Sequence, residues 1–332
     1  MRIAVIGVGH WHAPMHLDAV SRAGAQLVGV CDDDAEVAAA VGRERSAPAW
    51  SDTGTMLDAA APELVVAMGR PQEALEVAGA LIERGIPCVV EKPIGTSGAS
   101  LTPLLTQMRE RGAFVAVPLV NRYSALWRHL ADLRAAGRAG CAVHAHFRVI
   151  NGSPERYRQL GVPWMLDTRV AGGGALRNLG IHAIDAFGQL VGEGVEIAVQ
   201  SAVLRAPADD PDADTFGALQ LSTPSGEVAT IEVGYTLAAM RGSDTEWRVA
   251  VDGAYLVDRN QTLRVATLDD GRDDTITIPS VAARYDEFLA DTVARVRDGR
   301  GPGVSLSDYH RANVVIDDAY RTGRRLPSEG SR

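Results

Sequence analysis

Ile3-Ala4-Val5-Ile6-Gly7-Val8-Gly9 and, further on, Leu27-Val28-Gly29-Val30-Cys31-Asp32 are the stretches whose reading decides the fold. Each is a short apolar run without alternation, closed by glycine or aspartate. A strand buried on both faces reads this way, which means a parallel sheet covered by helices. The runs at 64–67, 87–90 and 114–117 repeat the pattern. Helical patterns at 14–23, 74–84 and 101–111 lie between them, the last two stopped by Gly85 and Gly112. Strand–helix–strand order at this spacing predicts a doubly wound α/β domain.

Beyond Pro118 the texture changes. A helix is expected over 124–136, then an alternating strand over 142–149 with His144, His146 and Arg148 on one face. The segment 151–169 reads as a loop, and Gly172-Gly173-Gly174 leads into one continuous helix over 175–191. Strand patterns dominate 195–278, and helices at 282–297 and 307–323 close the chain before a short polar tail. Alternation predicts an open, mainly antiparallel sheet with one face on helices and one free. The division expected is 1–119 and 120–332, with the last helix able to pack back toward the first domain.

Composition agrees with two domains in 332 residues. Apolar residues are 46% and charged residues 23%, ordinary for a globular protein. The net charge of −9 argues against a nucleic-acid partner. Cys31, Cys88 and Cys141 are scattered and fit a reducing cytoplasm. No stretch approaches the roughly 18 apolar residues of a membrane span, and the chain opens on a strand rather than a leader.

Gly7-Val8-Gly9 stands between the first strand and the first helix, where glycines let backbone amides approach a pyrophosphate at the helix N-terminus. His12 occupies the place of the usual third glycine and must point away from the sheet, or the helix must sit further out. Asp32, at the end of the second strand, is placed to accept hydrogen bonds from an adenosine ribose. Asp33 and Asp34 follow, and three carboxylates would repel a 2′-phosphate. The expected cofactor is therefore NAD, contacted by Gly7, Val8, Gly9, His10, Trp11, Asp32 and Asp33, with Met68, Glu91 and Lys92 at the neighbouring strand ends. The alternative is a solvated acidic turn. In Val89-Val90-Glu91-Lys92-Pro93, a lysine stands at the ligand-binding edge of the sheet, where its amine can donate to a hydroxyl or a developing alkoxide. The plain alternative is a surface Glu–Lys pair.

The glycine loop, Glu91-Lys92-Pro93 and Gly172-Gly173-Gly174-Ala175-Leu176-Arg177-Asn178-Leu179-Gly180-Ile181-His182-Ala183-Ile184-Asp185 together resemble the glucose–fructose oxidoreductase/inositol dehydrogenase (Gfo/Idh/MocA) family in order and spacing. Asn121-Arg122-Tyr123, Trp164-Met165-Leu166-Asp167 and Arg321-Thr322-Gly323-Arg324 also look like family landmarks. The resemblance implies a Rossmann domain, a C-terminal α/β domain, and NAD(P)-dependent dehydrogenase activity on sugars or cyclitols. It also implies a homodimer or homotetramer built through the C-terminal sheet. Carried over residue by residue, Lys92 polarises the reacting hydroxyl and His182 exchanges its proton. Asn178 stands where many relatives carry aspartate; it can bind a hydroxyl but carries no proton. Helical i,i+4 spacing puts Asn178 and His182 on one face.

Arg122, Tyr123 and Trp164 are the further substrate contacts expected, and Arg148, Arg156, Arg158 and Arg169 would suit an acidic sugar. His12 and His16 have metal-ligand spacing without an evident third ligand, and His16 is expected on the helix surface; no metal site is expected. The leading expectation is an NAD-dependent dehydrogenase or ketoreductase for a sugar, cyclitol or sugar acid. Its rivals are a redox-neutral isomerase or glycosidase that recycles a tightly bound NAD, and a non-catalytic NAD-binding protein.

Overall fold

The computed structural model describes residues 1–208, 210–238 and 242–328. The chain divides into two compact units: Met1–Val120 with Val281–Tyr309, and Asn121–Ser280 with the residues from His310 onward.

In the first unit β1 (Arg2–Ile6), β2 (Gln26–Cys31), β3 (Ala49–Trp50), β4 (Leu64–Ala67), β5 (Cys88–Val90) and β6 (Val115–Ala116) form one sheet in the order β3-β2-β1-β4-β5-β6. Every pairing is parallel. Ile3, Val5, Val30, Val66 and Val89 are wholly buried, as strands roofed on both faces require. The register brings the strand ends level: Ile6 pairs with Cys31 on one side and Ala67 on the other, and Ala67 pairs with Val90. Gly7, Asp32, Met68 and Glu91 therefore leave the sheet in one row. That row flanks the β1/β4 reversal of strand order, the crevice where open α/β sheets take ligands.

The helix Val281–Arg297 also belongs to the first unit, whereas the sequence division at 119/120 places it in the second. Tyr285, Phe288, Leu289, Thr292 and Val293 recur at helical spacing and are all buried. The helix lies against the helix Ala13–Arg22, where Arg22 donates to both oxygens of Asp286 at 2.9 and 3.0 Å. Helix Leu306–Thr322 contributes residues through Tyr309 to the first unit and the remainder to the second.

The second unit holds a nine-stranded sheet: β7 (Ala142–Gly152), β8 (Ala198–Pro207), β9 (Phe216–Ser222), β10 (Val228–Leu237), β11 (Ser243–Val251), β12 (Ala254–Arg259), β13 (Thr262–Thr267), β14 (Asp273–Thr277) and β15 (Arg324–Ser328). The order is β14-β13-β12-β11-β7-β10-β9-β8-β15. Pairing is antiparallel except at β7/β10 and β8/β15. On β7 the alternation holds: Ala145, Phe147 and Val149 are buried, while His144, His146 and Arg148 face away. β12 and β15 are absent from the sequence reading. β12 follows β11 through a tight turn at Gly253 (φ +83°), and β15 has a polar sequence that becomes a strand only by pairing with β8.

Candidate active site

The glycine loop is locked by its neighbours. Gly7 has φ +75°, and a Cβ there would lie 2.1 Å from the Met68 carbonyl oxygen, so only glycine lets β1 turn under the end of β4. Gly7 and Val8 both donate to the Cys31 carbonyl, at 2.8 and 3.3 Å. Val8 is buried, and its amide shapes the loop rather than facing outward. Gly9 donates to Asp32 Oδ2 at 2.7 Å, and a Cβ on Gly9 would sit 3.1 Å from that oxygen. Asp32 and Asp33 stay together, both accepting the Asp34 amide, at 3.2 and 3.0 Å. Asp32 faces the loop, and burial pushes its carboxyl upward. Asp33 is exposed. Asp34 caps the helix Ala35–Arg45, accepting from Glu36 and Val37, so it does not join a three-carboxylate cluster.

His10 stacks on Trp11 with ring centroids 3.8 Å apart. Its Nδ1 accepts the His12 amide at 3.2 Å, which leaves the proton of the neutral ring on Nε2, and Nε2 is buried without a partner. Burial lowers the His10 pKa to about 3 despite the pull of Glu91. An orphaned buried donor beside a glycine cradle and a ribose-ready carboxylate is the arrangement a dinucleotide fits.

Glu91 and Lys92 follow β5, and both are buried. Of the 33 lysine and arginine residues, Lys92 is the only lysine. Burial lowers its pKa, with Glu91 opposing. Burial alone would raise the Glu91 carboxyl, but His12 and His16 hold it well below the usual range. His12 lies between the end of β5 and the helix Val281–Arg297: its Nδ1 is 3.3 Å from Glu91 Oε2 and 3.3 Å from the Tyr285 hydroxyl. His16 corrects the surface expectation. It is wholly buried and donates Nε2–H to Glu91 Oε2 at 2.8 Å.

In the second unit the expected continuous helix is instead a π-helical turn, Leu176–Gly180, running into the α-helix Ile181–Val191. Its start is held by Asp214, which accepts from Gly174 at 3.1 Å and Leu176 at 2.8 Å, and by the Tyr320 hydroxyl bound to Asp214. Burial raises the Asp214 pKa to about 6. The glycine run now has a reason: a Cβ on Gly173 would meet the Tyr320 hydroxyl at 2.4 Å, and one on Gly174 the Asp214 backbone oxygen at 2.1 Å. Asn178 is buried and donates to the hydroxyls of Tyr157 and Tyr235 at 3.1 and 3.0 Å. His182 is only partly covered. Arg122 is engaged by Asp185 through a two-point ion pair, while Tyr123 and Trp164 are partly exposed. The arginines expected to suit an acidic sugar are engaged within the unit. Arg148 pairs with Glu232 and Asp244, Arg158 with Glu155, and Arg169 with Asp167; Arg156 donates to the Gly242 carbonyl.

Residues 1–119 match the family model described as oxidoreductase family, NAD-binding Rossmann fold, and residues 127–256 match the GFO/IDH/MocA C-terminal domain. The chain belongs to the Gfo/Idh/MocA family. It is 27% identical over 237 residues to inositol 2-dehydrogenase 2 of Saccharopolyspora erythraea, covering 70% of this chain and 66% of that protein. It is 26% identical over 197 residues to D-glucoside 3-dehydrogenase of Escherichia coli, covering 58% and 54%. The matched stretches thus span just under two thirds, and about half, of these curated relatives. A levoglucosan dehydrogenase solved with NADH and levoglucosan superposes with a TM-score of 0.84 at 18% identity, over 97% of this chain and 96% of that one. Among the described residues no helix is long and apolar enough to cross a membrane.

Measured against the Gfo/Idh/MocA landmarks, the residues missed from sequence are His16, Tyr157, Asp214, Tyr235, Tyr285 and Tyr320. The signal for His16 was present in its i,i+4 spacing from His12, but the carboxylate the pair meets lies 75 residues away. The tyrosines sit in segments read as loop, strand or closing helix, where nothing local marks them.

Proposed function

We propose that this chain is an NAD-dependent dehydrogenase, or a ketoreductase in reverse, for a secondary alcohol of a sugar or cyclitol. The observation that carries the reading is Lys92. A chain that otherwise uses arginine throughout keeps one lysine, buried at the carboxyl end of β5. Lysine differs from arginine in being a compact donor whose proton can be lost when buried. A sugar acid is the less favoured substrate, because the arginines that would meet a carboxylate are already engaged. Asp32, poised beside Gly9, supports NAD over NADP.

When bound, the nicotinamide supplies the hydride acceptor. Lys92 donates to the oxygen of the reacting hydroxyl and steadies its developing charge. His182 takes the hydroxyl proton. Asn178 carries no proton and is held by two tyrosine hydroxyls, so His182 acts without a carboxylate at that position. A homo-oligomer built through the nine-stranded sheet, in a reducing cytoplasm, completes the reading; three free cysteines are consistent with the latter.

A panel of sugars, inositols and sugar acids with NAD, followed by NADH absorbance, tests the activity. Lys92→Met and His182→Ala are each expected to lower kcat by about 10²-fold or more while NAD binding persists. Full turnover in both variants would reject the assignment. Tightly held NAD that is never released as NADH would favour the redox-neutral alternative.

A further inference from the structure

Beside Lys92, Glu91 and His16 form an arrangement that the proposed reaction leaves unused. Glu91 is 1% exposed, His16 0% and Lys92 5%. Glu91 Oε2 accepts His16 Nε2–H at 2.8 Å, and Oε1 accepts the Lys92 backbone N–H at 3.1 Å. The first helix closes on this carboxylate through His12 and His16, the turn after β5 through the Lys92 amide, and the helix Val281–Arg297 backs the two histidines with Tyr285. The Tyr285 ring stands edge-on to His16 at 5.0 Å. The Tyr309 hydroxyl accepts the Ile94 amide at 3.0 Å and anchors the far side of the same turn. The i,i+4 histidine pair thus meets a carboxylate rather than marking a solvent face.

We propose that Glu91 and His16 are positioning residues for Lys92, the imidazole locking the carboxylate, and the carboxylate locking the Lys92 peptide and balancing its ammonium. A buried ammonium is costly unless an opposite charge offsets it, and Glu91, whose carboxylate holds the Lys92 backbone N–H, opposes the burial that lowers the Lys92 pKa. His10, His12 and Tyr285 are titratable groups that face this cluster. Burial lowers the pKa of both histidines and raises that of the phenol, so all three are neutral near pH 7. The inference rests on the proposed role of Lys92 for its catalytic consequence, but its electrostatic content can be read without turnover.

Because Lys92 is the only lysine, biosynthetic labelling of lysine at 13Cε gives one side-chain resonance in the full chain, and its pH titration reports Lys92 directly. In Glu91→Gln the ammonium is expected to lose its proton about one unit or more lower than in wild type. The alkaline limb of kcat should move down with it. Glu91→Asp keeps the charge but shortens the reach to His16. It is expected to titrate near wild type while kcat falls about tenfold, and it serves as the second variant if Glu91→Gln does not fold. His16→Leu should lower kcat; His16→Gln, which can still donate to Glu91, should restore it. An unshifted Lys92 titration in Glu91→Gln, or one in Glu91→Asp that drops well below wild type, would overturn the proposal. A shifted titration together with full turnover of Lys92→Met would instead sink the catalytic reading and leave the electrostatic pairing standing.

Discussion

His10 shows how one buried side chain reports on the loop around it. Its folded pKa, lowered to about 3 by burial, lies below the ordinary histidine value near 6.5. Between those values the unfolded chain binds a proton that the folded chain refuses, so stability rises with pH across that window. The contribution is full above about pH 6.5 and is lost as pH falls toward 3. Urea midpoints at pH 7.5 and 5 should therefore separate less in His10→Phe than in wild type; equal separation would show that His10 takes up its proton without cost. Asp32 supports a second expectation at the same scale. Asp32→Ser should weaken NAD binding about tenfold and narrow the preference over NADP, because the acceptor for ribose hydroxyls is gone; calorimetry with both nucleotides checks it. Position and residue type made His10 and Asp32 legible in the sequence. His16 was not, because burial depends on what packs above a helix face and not on the face itself.

The glycine run before the π-turn is the element whose meaning the structure changes most. Sequence reading used Gly172-Gly173-Gly174 as a family landmark, whereas the structure shows glycines required by Asp214 and Tyr320. Gly174→Ala is expected to cost about 3 kcal/mol, since its Cβ would strike backbone and neither side can yield cheaply. Gly85→Ala, at φ +68° with open space around it, should cost only about 1 kcal/mol of backbone strain. Equal costs in urea unfolding would show that the Asp214 contact is slack. The turn itself could not be read in advance, because it is drawn out by hydrogen bonds to Asp214 and by Arg177 reaching Asn313 and Asp317, residues distant in the sequence. π-turns commonly mark functional sites, and this one immediately precedes His182.

At the scale of the whole molecule, the first unit is discontinuous in sequence. The helix Ala13–Arg22 packs against Val281–Arg297, with His12 and His16 on Tyr285 and Arg22 on Asp286. Residues 1–120 alone should therefore be unstable or aggregate, while 1–120 joined to 281–309 through a flexible linker should unfold cooperatively and bind NAD. Indistinguishable melting of the two would show that the helix Val281–Arg297 adds nothing to that core. Five strands of the parallel sheet, three of the helices between them and the strand ends were readable because uninterrupted apolar runs and their stop residues are local; the edge strand β3 and the helices Ala35–Arg45 and Thr53–Ala60 were not. The membership of 281–309 was not, because an amphipathic helix carries an apolar face without carrying the address of its partner.

By itself the sequence determined which residues would emerge at the sheet edge, since strand ends are written in turn-forming and acidic residues a few positions long. It also determined the family, through motifs in order along the chain. Only the tertiary structure decided that β1, β2, β4 and β5 end level, that His16 closes on Glu91, and that Asn178 turns to two tyrosines. Those outcomes depend on contacts between residues tens of positions apart, whose energy exists only once the chain has paid the entropy of bringing them together.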